Sequence, residues 1–236
     1  MRIDKFLHDQ QYGSRSEIHE LIKRRQVMVD GQPIKSFKVN IDPDVNAIQV
    51  SGQLVQVQAP FVYLLLNKPA GVITATHDET QATVMSLIAP ADLRKDLSPV
   101  GRLDKDTTGM LLLTNDGQLA HQLVSPRHHV QKTYRVTTTG QLTASQLDEL
   151  EAGITLRDGS QVRADDCQLV EQQADHSIVL ITLHQGKYHQ IKRMIGYLGQ
   201  RVTQLDRESF AGIQDSTLEL GAYRALTAAE IEQLSK

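Results

Sequence analysis

Apolar residues recur at helical spacing in two short segments near the start of the chain. Residues 2–11 and 15–25 repeat apolar side chains every three or four positions, which predicts two amphipathic helices. Ser14 and Glu17 fit a capping box at the start of the second helix, because each side chain can bond the backbone N–H of the other. The residues predicted to face inward are Ile3, Phe6, Leu7, Ile18, Leu21 and Ile22.

A hairpin is predicted directly after these helices. Alternating apolar and polar positions surround the dipeptide Asp30-Gly31. Asp-Gly favours a tight two-residue turn between antiparallel strands. Residues 27–29 and 32–34 are therefore expected to pair with each other.

A linker is predicted where the apolar density falls. Residues 51–60 lose the apolar density of the preceding segment and end at Pro60. Such a stretch is typical of a connection between domains, and we place the linker at about residues 57–61. The chain is therefore expected to hold a small domain over residues 1–57 and a larger domain over residues 62–236.

The larger domain shows more strand-like runs than helical ones, and short turns join many neighbours. This pattern predicts an α+β domain with a mixed, mainly antiparallel sheet rather than a doubly wound parallel sheet. Capping boxes at Thr143–Gln146 and Thr227–Glu230 and a glycine at position 199 mark helix ends. Strands are expected at 62–66, 110–114, 132–138, 154–157, 162–170, 177–183 and 202–206, and helices at 117–124, 144–151, 188–198 and from Thr227.

The composition excludes several classes of protein. The chain has 236 residues, of which 40% are hydrophobic and 22% charged, an ordinary balance for a globular protein. Its one cysteine, Cys167, excludes a disulfide framework and fits a reducing compartment. No signal-peptide pattern is visible, and apolar runs such as residues 62–66 are too short to span a membrane. We therefore expect a cytoplasmic protein without a membrane anchor.

Basic residues are segregated along the chain. The net charge is −3 overall, yet residues 1–40, 101–135 and 184–207 carry +3, +2 and +4. Each block alone is typical of a solvated surface. If folding brought the blocks together, they would form a phosphate-binding face on an otherwise acidic body.

The stretch Gly101–Gly109, with the sequence GRLDKDTTG, holds the densest set of reactive side chains. Two glycines bracket interleaved carboxylates and cations, and a strand predicted to be buried follows. A cation within about 4–6 Å keeps an aspartate ionised in a partly dry site. The same residues also suit a turn in which Asp104 and Asp106 form solvated salt bridges, and the pattern alone favours that alternative.

Four histidines lie near basic residues. His128 and His129 follow Arg127, and His184 and His189 lie in the third basic block. No carboxylate or thiol accompanies them at a recognised ligand spacing, so no metal site is predicted. Contacts with phosphate or a surface position are favoured for these side chains.

The N-terminal segment resembles the S4 RNA-binding module. The resemblance covers roughly residues 1–50 and rests on two short helices, a basic cluster and the hairpin sequence VMVDGQPIK. In that module the basic helix face and the adjoining turn contact RNA phosphates. The residues in the matching stretch are Arg2, Lys5, Arg15, Lys23 and Arg24.

The rest of the chain resembles the pseudouridine synthases, in the group that acts on ribosomal RNA. GRLDKDTTG matches the family's central motif, whose aspartate is the catalytic residue and is Asp104 here. Four further stretches agree in order along the chain: LLLNKPAGVITAT (64–76), SPRHHVQKTYRV (125–136), LHQGKYHQIKRMI (183–195) and GAYRALT (221–227).

The resemblance implies roles for individual residues. Asp104 would be the carboxylate that acts on the uridine, and Arg102 and Lys192 would keep it charged. Tyr134 would stack on the uracil and Leu183 would form an apolar wall, although a strand tyrosine also fits a core position. Isomerisation involves no net redox change or hydrolysis, so the resemblance implies neither a cofactor nor a metal.

The same resemblance implies an RNA path across the larger domain. Arg127, His128, Lys187 and Arg193 would line it, although Arg193 alone also fits a helix surface. The target base must be extruded or already unpaired to reach a buried aspartate. We expect a monomer that binds ribosomal RNA, either naked or in a precursor particle.

Three alternatives remain at this stage. The run SPRHH…KTY and the central motif favour 16S rRNA as substrate, with 23S rRNA as the nearest alternative and transfer RNA less favoured. An RNA-binding assembly factor without catalysis would use the same basic patches. A glycosidase would need a second carboxylate as acid, for which Asp106 is the candidate, and it would release free uracil.

Overall fold

The chain folds into two compact units, Met1–Phe61 and Val62–Lys236. Each unit has a hydrophobic core of its own. The division falls at the end of the stretch that the sequence indicates as a linker. None of the helices in the described part of the chain is long and apolar enough to cross a membrane. The computed structural model describes residues 1–57, 59–125 and 130–235.

The N-terminal unit combines two helices with a four-stranded antiparallel sheet in the order β2-β1-β3-β4. Ser14 and Glu17 form the predicted capping box, which satisfies backbone donors at the start of the second helix. Asp30 and Gly31 adopt φ angles of 52° and 76°, the left-handed conformation that the hairpin turn requires. The elements are α1 (Ile3–Asp9), α2 (Arg15–Lys23), β1 (Val27–Val29), β2 (Gln32–Pro33), β3 (Ile48–Val50) and β4 (Gln53–Leu54).

The C-terminal unit is built on an eight-stranded mixed sheet. Its spatial order is β11-β12-β8-β13-β7-β5-β14, with β6 also paired to β7. The pair β13–β7 is parallel, and the other pairs of this sheet are antiparallel. The strands are β5 (Tyr63–Lys68), β6 (Ser98–Pro99), β7 (Thr108–Thr114), β8 (Lys132–Thr139), β9 (Ile154–Thr155), β10 (Gln161–Val162), β11 (Asp166–Gln172), β12 (His176–Leu183), β13 (Val202–Phe210) and β14 (Tyr223–Ala225).

Strand β7 is buried on both faces. Met110 and Leu112 pack into one hydrophobic cluster, and Leu111 and Leu113 pack into another. Successive side chains of a strand point to opposite faces, so a strand that is covered on both sides becomes an unbroken apolar run. The loop Gly101–Gly109 leads directly into this rigid element.

Four helices pack around the sheet. The capping boxes at Thr143 and Thr227 are present, as the sequence indicates. Gly199 follows the third helix of this unit with a φ of 80°, a conformation that glycine adopts without strain. The helices are α3 (Gly117–Val124), α4 (Ala144–Ala152), α5 (Gln190–Tyr197) and α6 (Ala228–Leu234), and a short 3₁₀ turn spans Val84–Leu87.

The predicted strand over residues 162–170 is wrong in one respect. Gln161–Val162 pairs with Ile154–Thr155 in a separate two-stranded hairpin, and the main-sheet strand begins only at Asp166. The two strands follow each other so closely that their patterns merge in the sequence. Prediction also missed the short strands β3, β4, β6 and β14, which hold two or three residues each and show too little periodicity.

Candidate functional site

The loop Gly101–Gly109 is fixed by hydrogen bonds on both sides of Asp104. The hydroxyl of Thr74 donates to the carbonyl of Leu103 at 2.8 Å and accepts from the Leu103 N–H at 3.2 Å. The N–H of Thr107 donates to the carbonyl of Asp104 at 3.1 Å. Since Leu103 is also buried in the core, the backbone that carries Asp104 has a defined position.

The side chain of a buried lysine binds backbone carbonyls of the loop. Lys68, at the end of β5, is fully buried. Its ammonium group donates to the carbonyls of Thr107 at 2.8 Å and Pro69 at 2.9 Å, and lies 3.5 Å from that of Lys105. Burial lowers the pKa of Lys68 to about 8, although the negative charges of the two loop aspartates oppose this shift.

The C-terminal end of the loop lies against β13. Gly109 pairs with Arg207 in the parallel register, at a φ of 105°. A Cβ atom at position 109 would lie 2.3 Å from the Arg207 carbonyl oxygen, so a side chain does not fit there. The hydroxyl of Thr108 donates to the Asp206 carboxylate in the same strand. The loop is thereby attached to two strands of the sheet.

Arg207 is a second buried cation near the loop, with 1% of its surface exposed. Its Nε donates to the Met110 carbonyl at 2.7 Å, and the guanidinium lies 4.7 Å from the centre of the Phe210 ring. Arg207 is directly opposite Tyr134 in the β13–β8 register, and the β13 register shifts just after it. Burial lowers the pKa of Arg207, and an interaction with Tyr134 opposes this shift.

Asp104 belongs to a small cluster of charged side chains. Its Oδ2 lies 3.2 Å from Lys192 Nζ and 3.4 Å from His189 Nε2. Lys192 Nζ also donates to Asp106 Oδ1 at 2.6 Å. One lysine therefore bridges both loop aspartates, and Asp104, one third of whose side chain is exposed, remains open to the cleft.

The cluster shifts the pKa values of two of its members. The hydrogen bond from Lys192 holds the pKa of Asp106 below its ordinary value. Burial alone would lower the pKa of Lys192, but hydrogen bonds to Asp106 and Asp104 outweigh burial and raise it. Asp106 is therefore an ionised partner at neutral pH and Lys192 a stable cation beside Asp104.

A cleft of about 100 Å³ opens beside Asp104. Residues from the loop, from β8, from the end of β12 and from α5 form its walls. It brings together the residues that the sequence predicts for catalysis and for substrate binding in this unit. Its lining includes Arg102, Asp104, Thr107, Tyr134, Leu183, Lys187, His189, Lys192 and Leu205.

The two cations expected to keep Asp104 charged differ in their contacts. Arg102 lines the cleft but is exposed, and in the described part of the chain it forms no ion pair with Asp104. Lys192 and His189, at the start of α5, lie within 4 Å of the Asp104 carboxylate. Lys192 therefore carries the charge-pairing role for which both residues are candidates.

Two residues near α5 that are predicted to contact RNA also bind the β9–β10 hairpin. Lys187 donates to the carbonyl of Gln161 at 2.8 Å, and Arg193 pairs with Asp158. Lys187 is nevertheless exposed at the rim of the cleft. The other two candidates of this unit, Arg127 and His128, lie outside the described residues.

The predicted RNA contacts of the N-terminal unit are all on its surface. Arg2 pairs with Asp4 at 2.6 Å, and Lys23 lies 3.5 Å from Glu20. The Lys23–Glu20 pair lies in solvent and is weak, whereas Arg2 binds the buried Asp4 with two hydrogen bonds but is itself about half exposed. The exposed candidates are Arg2, Lys5, Arg15, Lys23 and Arg24.

Three residues at or near the site were not predicted for it from the sequence. The sequence does contain a pattern that indicates a buried Lys68, because this lysine ends an apolar run that forms a buried strand. No such pattern indicates Arg207, since it lies in the polar run QLDRESF. His189 was considered as a metal ligand, a phosphate contact or a surface residue, whereas it contacts Asp104. Within the described ranges, no three His, Cys, Asp or Glu side chains are grouped to hold a metal.

Comparison with known proteins shows the family of this chain. Residues 62–196 match the family model for RNA pseudouridylate synthase, and residues 1–44 match the S4 domain. An uncharacterized RNA pseudouridine synthase of Bacillus subtilis is 41% identical, with 100% of this chain and 99% of the relative covered. The ribosomal small subunit pseudouridine synthase A of Vibrio vulnificus is 37% identical, with both chains fully covered.

A solved structure gives the same assignment. A crystal structure of a pseudouridylate synthase superposes with a TM-score of 0.68 at 33% identity, covering 99% of each chain. The archaeal Nop10–Cbf5 complex of a box H/ACA particle, at 18% identity, shares the fold, with a TM-score of 0.52 over 68% of this chain. The chain therefore belongs to the RNA pseudouridine synthases, the isomerases that convert uridine to pseudouridine in RNA, and carries an S4 domain at its N-terminus.

Proposed function

We propose that this protein isomerises one uridine of 16S ribosomal RNA, with Asp104 as the catalytic carboxylate. The observation that carries this proposal is the position of Asp104, which lies at the wall of the cleft between Lys192 and His189. The cleft is also lined by Tyr134. A carboxylate, a cation and an aromatic ring thus meet in one small space.

The reaction requires a carboxylate that acts on the sugar or the base of the target nucleotide. The bond between N1 of uracil and C1′ of ribose breaks, the base turns, and a bond between C5 and C1′ forms. The proton on C5 leaves, N1 gains a proton, and no atom is lost overall. Asp104 acts as the nucleophile or base in this sequence, and Lys192 stabilises its negative charge.

The walls of the cleft keep the detached uracil in place. Leu183 is buried and supplies an apolar surface, and Tyr134 supplies an aromatic face for the base. Stacking of a base on an aromatic ring contributes about 1–3 kcal/mol, which offsets the few kcal/mol needed to extrude a base. Arg102, at the exposed edge of the cleft, contacts the RNA rather than Asp104.

Asp106 is poorly suited to the second carboxylate role of a glycosidase. A glycosidase needs a protonated acid whose pKa is raised. The pKa of Asp106 is instead held below its ordinary value by the hydrogen bond from Lys192. This difference favours isomerisation over hydrolysis, so free uracil is not expected as a product.

Two observations support ribosomal RNA, and 16S rRNA within it, as the substrate. The Vibrio vulnificus relative is named for the small ribosomal subunit and matches this chain along its full length. The N-terminal unit matches the S4 domain and displays exposed cations, which suit contacts with RNA phosphates. The cations proposed for that role are Arg2, Lys5, Arg15, Lys23 and Arg24, together with Arg127, His128, Lys187 and Arg193.

The test is an assay of the purified protein on separate transcripts of 16S and 23S rRNA, naked and assembled into precursor particles. Pseudouridine is then mapped at single-nucleotide resolution. We expect one modified uridine in 16S rRNA with the unchanged protein and none with Asp104→Asn. Modification of 23S rRNA alone would overturn the choice of substrate, and modification by Asp104→Asn would overturn the role of Asp104.

A further inference from the structure

An exposed aromatic side chain marks the rim of the cleft. Tyr188 lies in the loop between β12 and α5, and 77% of its surface is exposed. A tyrosine gains little from folding when most of its ring lies in solvent, and large aromatic rings are usually more buried. Its position beside the cleft therefore calls for a partner other than the protein's own core.

The ring of Tyr188 has a defined support. It stacks on His189, with ring centres 3.8 Å apart and planes inclined by 19°. His189 adopts a left-handed backbone conformation, at a φ of 49° and a ψ of 34°, immediately before α5. Such a conformation is strained for a residue other than glycine and is maintained where the surroundings require it. His189 also contacts Asp104, so the stack is tied to the catalytic carboxylate.

The surrounding loop is held in place as well. The N–H of Lys187 donates to the side chain of Gln190 at 3.0 Å, and its ammonium group donates to the carbonyl of Gln161 at 2.8 Å. The exposed ring therefore lies on an ordered loop rather than on a loose end. An ordered, solvent-facing aromatic ring next to cations is what single-stranded RNA-binding surfaces provide.

We propose that Tyr188 and His189 form a stacking subsite for a nucleobase next to the isomerised uridine. The cleft beside Asp104 measures about 100 Å³, so we expect the nucleotides that flank the reacting one to lie on its rim. Lys187 immediately precedes Tyr188 and is exposed at the rim of the cleft, which places positive charge where the RNA backbone passes. The occupant is thus a base of the RNA substrate, read by its flat face and not by its hydrogen-bonding edge.

A fluorescence experiment tests this subsite directly. The chain contains no tryptophan, so Tyr188→Trp introduces a single indole at the proposed platform. Stacking of a base on this indole is expected to quench its emission when oligouridylate binds. An oligonucleotide of the same length with abasic residues should bind through its phosphates without quenching. Because oligouridylate is a generic probe, the test does not depend on which ribosomal RNA is the substrate.

A matched control comes from the C-terminal end of α5, the helix that follows Tyr188. Tyr197 is 48% exposed and bonds Glu149 with its hydroxyl group. Tyr197→Trp should show no quenching with either oligonucleotide. Binding is followed independently by the anisotropy of labelled RNA. The proposal is overturned if emission at position 188 does not change at saturating oligouridylate, changes equally with the abasic chain, or changes no more than emission at position 197.

Kinetic measurements on ribosomal RNA provide a second readout. Tyr188→Ala should raise KM about tenfold or more while kcat changes less than about threefold, since the ring binds RNA outside the reacting centre. Tyr188→Phe should have the same KM as the unchanged protein, because stacking uses the ring and not the hydroxyl group. A KM in Tyr188→Phe as high as in Tyr188→Ala would contradict the proposal, as would a loss confined to kcat.

Discussion

Cations occupy opposite environments in the two units of this protein. Beside the loop of Asp104, Lys68 and Arg207 are buried, and their donors reach backbone carbonyls. In the N-terminal unit, Lys5, Arg15 and Arg24 are exposed to solvent. The same types of side chain are thus part of the structural framework in one region and remain available to a partner in the other.

The difference shows what each task demands of a charge. A reaction needs groups held at fixed positions. Burial of a cation costs desolvation free energy, but the buried cation positions the loop that holds the carboxylate. Binding to RNA needs charges that phosphates can reach and that displace counterions. We therefore expect substitutions near Asp104 to change stability or rate, and substitutions in the N-terminal unit to change affinity.

The largest difference is expected between the two aspartates of the loop. Asp104→Asn should lower the rate of pseudouridine formation by about 10⁴-fold, the scale for loss of one essential catalytic group. Asp106→Asn should lower it by less than about tenfold, because Lys192 would still pair with Asp104. Both variants should bind ribosomal RNA as tightly as the unchanged protein in a filter-binding assay. Comparable rate losses in the two variants would contradict the assignment of the catalytic role to Asp104 rather than Asp106.

The next effect contrasts two glycines, each with a positive φ. Gly109→Ala should lower the free energy of unfolding by about 4 kcal/mol, because backbone strain adds to a collision with Arg207. Gly31→Ala, in the hairpin turn of the N-terminal unit, should lower it by about 1 kcal/mol, since no atom lies within 4 Å of the new Cβ. Urea titrations of both variants measure the difference, and equal losses would refute the close approach of β7 to β13.

Stability should depend on pH through Lys68. Its pKa in the folded protein is about 8, below the ordinary 10.5. Between these values the unfolded chain binds more protons, so stability rises with pH over that window. Relative to Lys68→Met, the unchanged protein should gain about 3 kcal/mol from pH 8 to 10.5.

The exposed Lys23 provides the control for this pH dependence. Lys23→Met should leave the pH dependence of the free energy of unfolding as it is in the unchanged protein, because that side chain lies in solvent. Urea titrations at half-unit pH intervals give both curves. If the curve of Lys68→Met runs parallel to that of the unchanged protein, Lys68 is not the buried cation described above.

The smallest effect is expected for the N-terminal cations. Replacing Arg15, Lys23 and Arg24 together by Gln should weaken RNA binding about tenfold and reduce the slope of log affinity against log salt by about 2. The kcat at saturating RNA should not change. Lys95→Gln, an exposed cation outside the three basic blocks, serves as control. An unchanged salt slope in the triple variant would exclude phosphate contacts by these three residues.

The sequence predicted those parts of the fold that depend on local signals. The capping boxes at Ser14, Thr143 and Thr227 and the Asp30-Gly31 hairpin were predicted and are present, because a few adjacent residues determine each of them. The short strands and the division of residues 162–170 were missed, since their pairing depends on partners distant in the chain.

In the candidate site, too, some residues could be predicted from the sequence and others could not. The loop aspartate and its partner Lys192 could be named from motifs that resemble a known family. The contacts of Arg207 and His189 could not, because they arise from the β13–β8 register and from the approach of α5 to the loop. Neither is visible in a polar run of sequence. The contacts of Arg207 and His189 are therefore found only once the fold is known.

The most direct test of the account is pseudouridine mapping of ribosomal RNA from cells that lack this protein, with and without complementation. We expect that one uridine of 16S rRNA stays unmodified in these cells, that the unchanged gene restores pseudouridine there, and that the Asp104→Asn gene does not. An unaltered pseudouridine map, or restoration by the Asp104→Asn gene, would contradict the claim that the carboxylate of Asp104 performs the isomerisation.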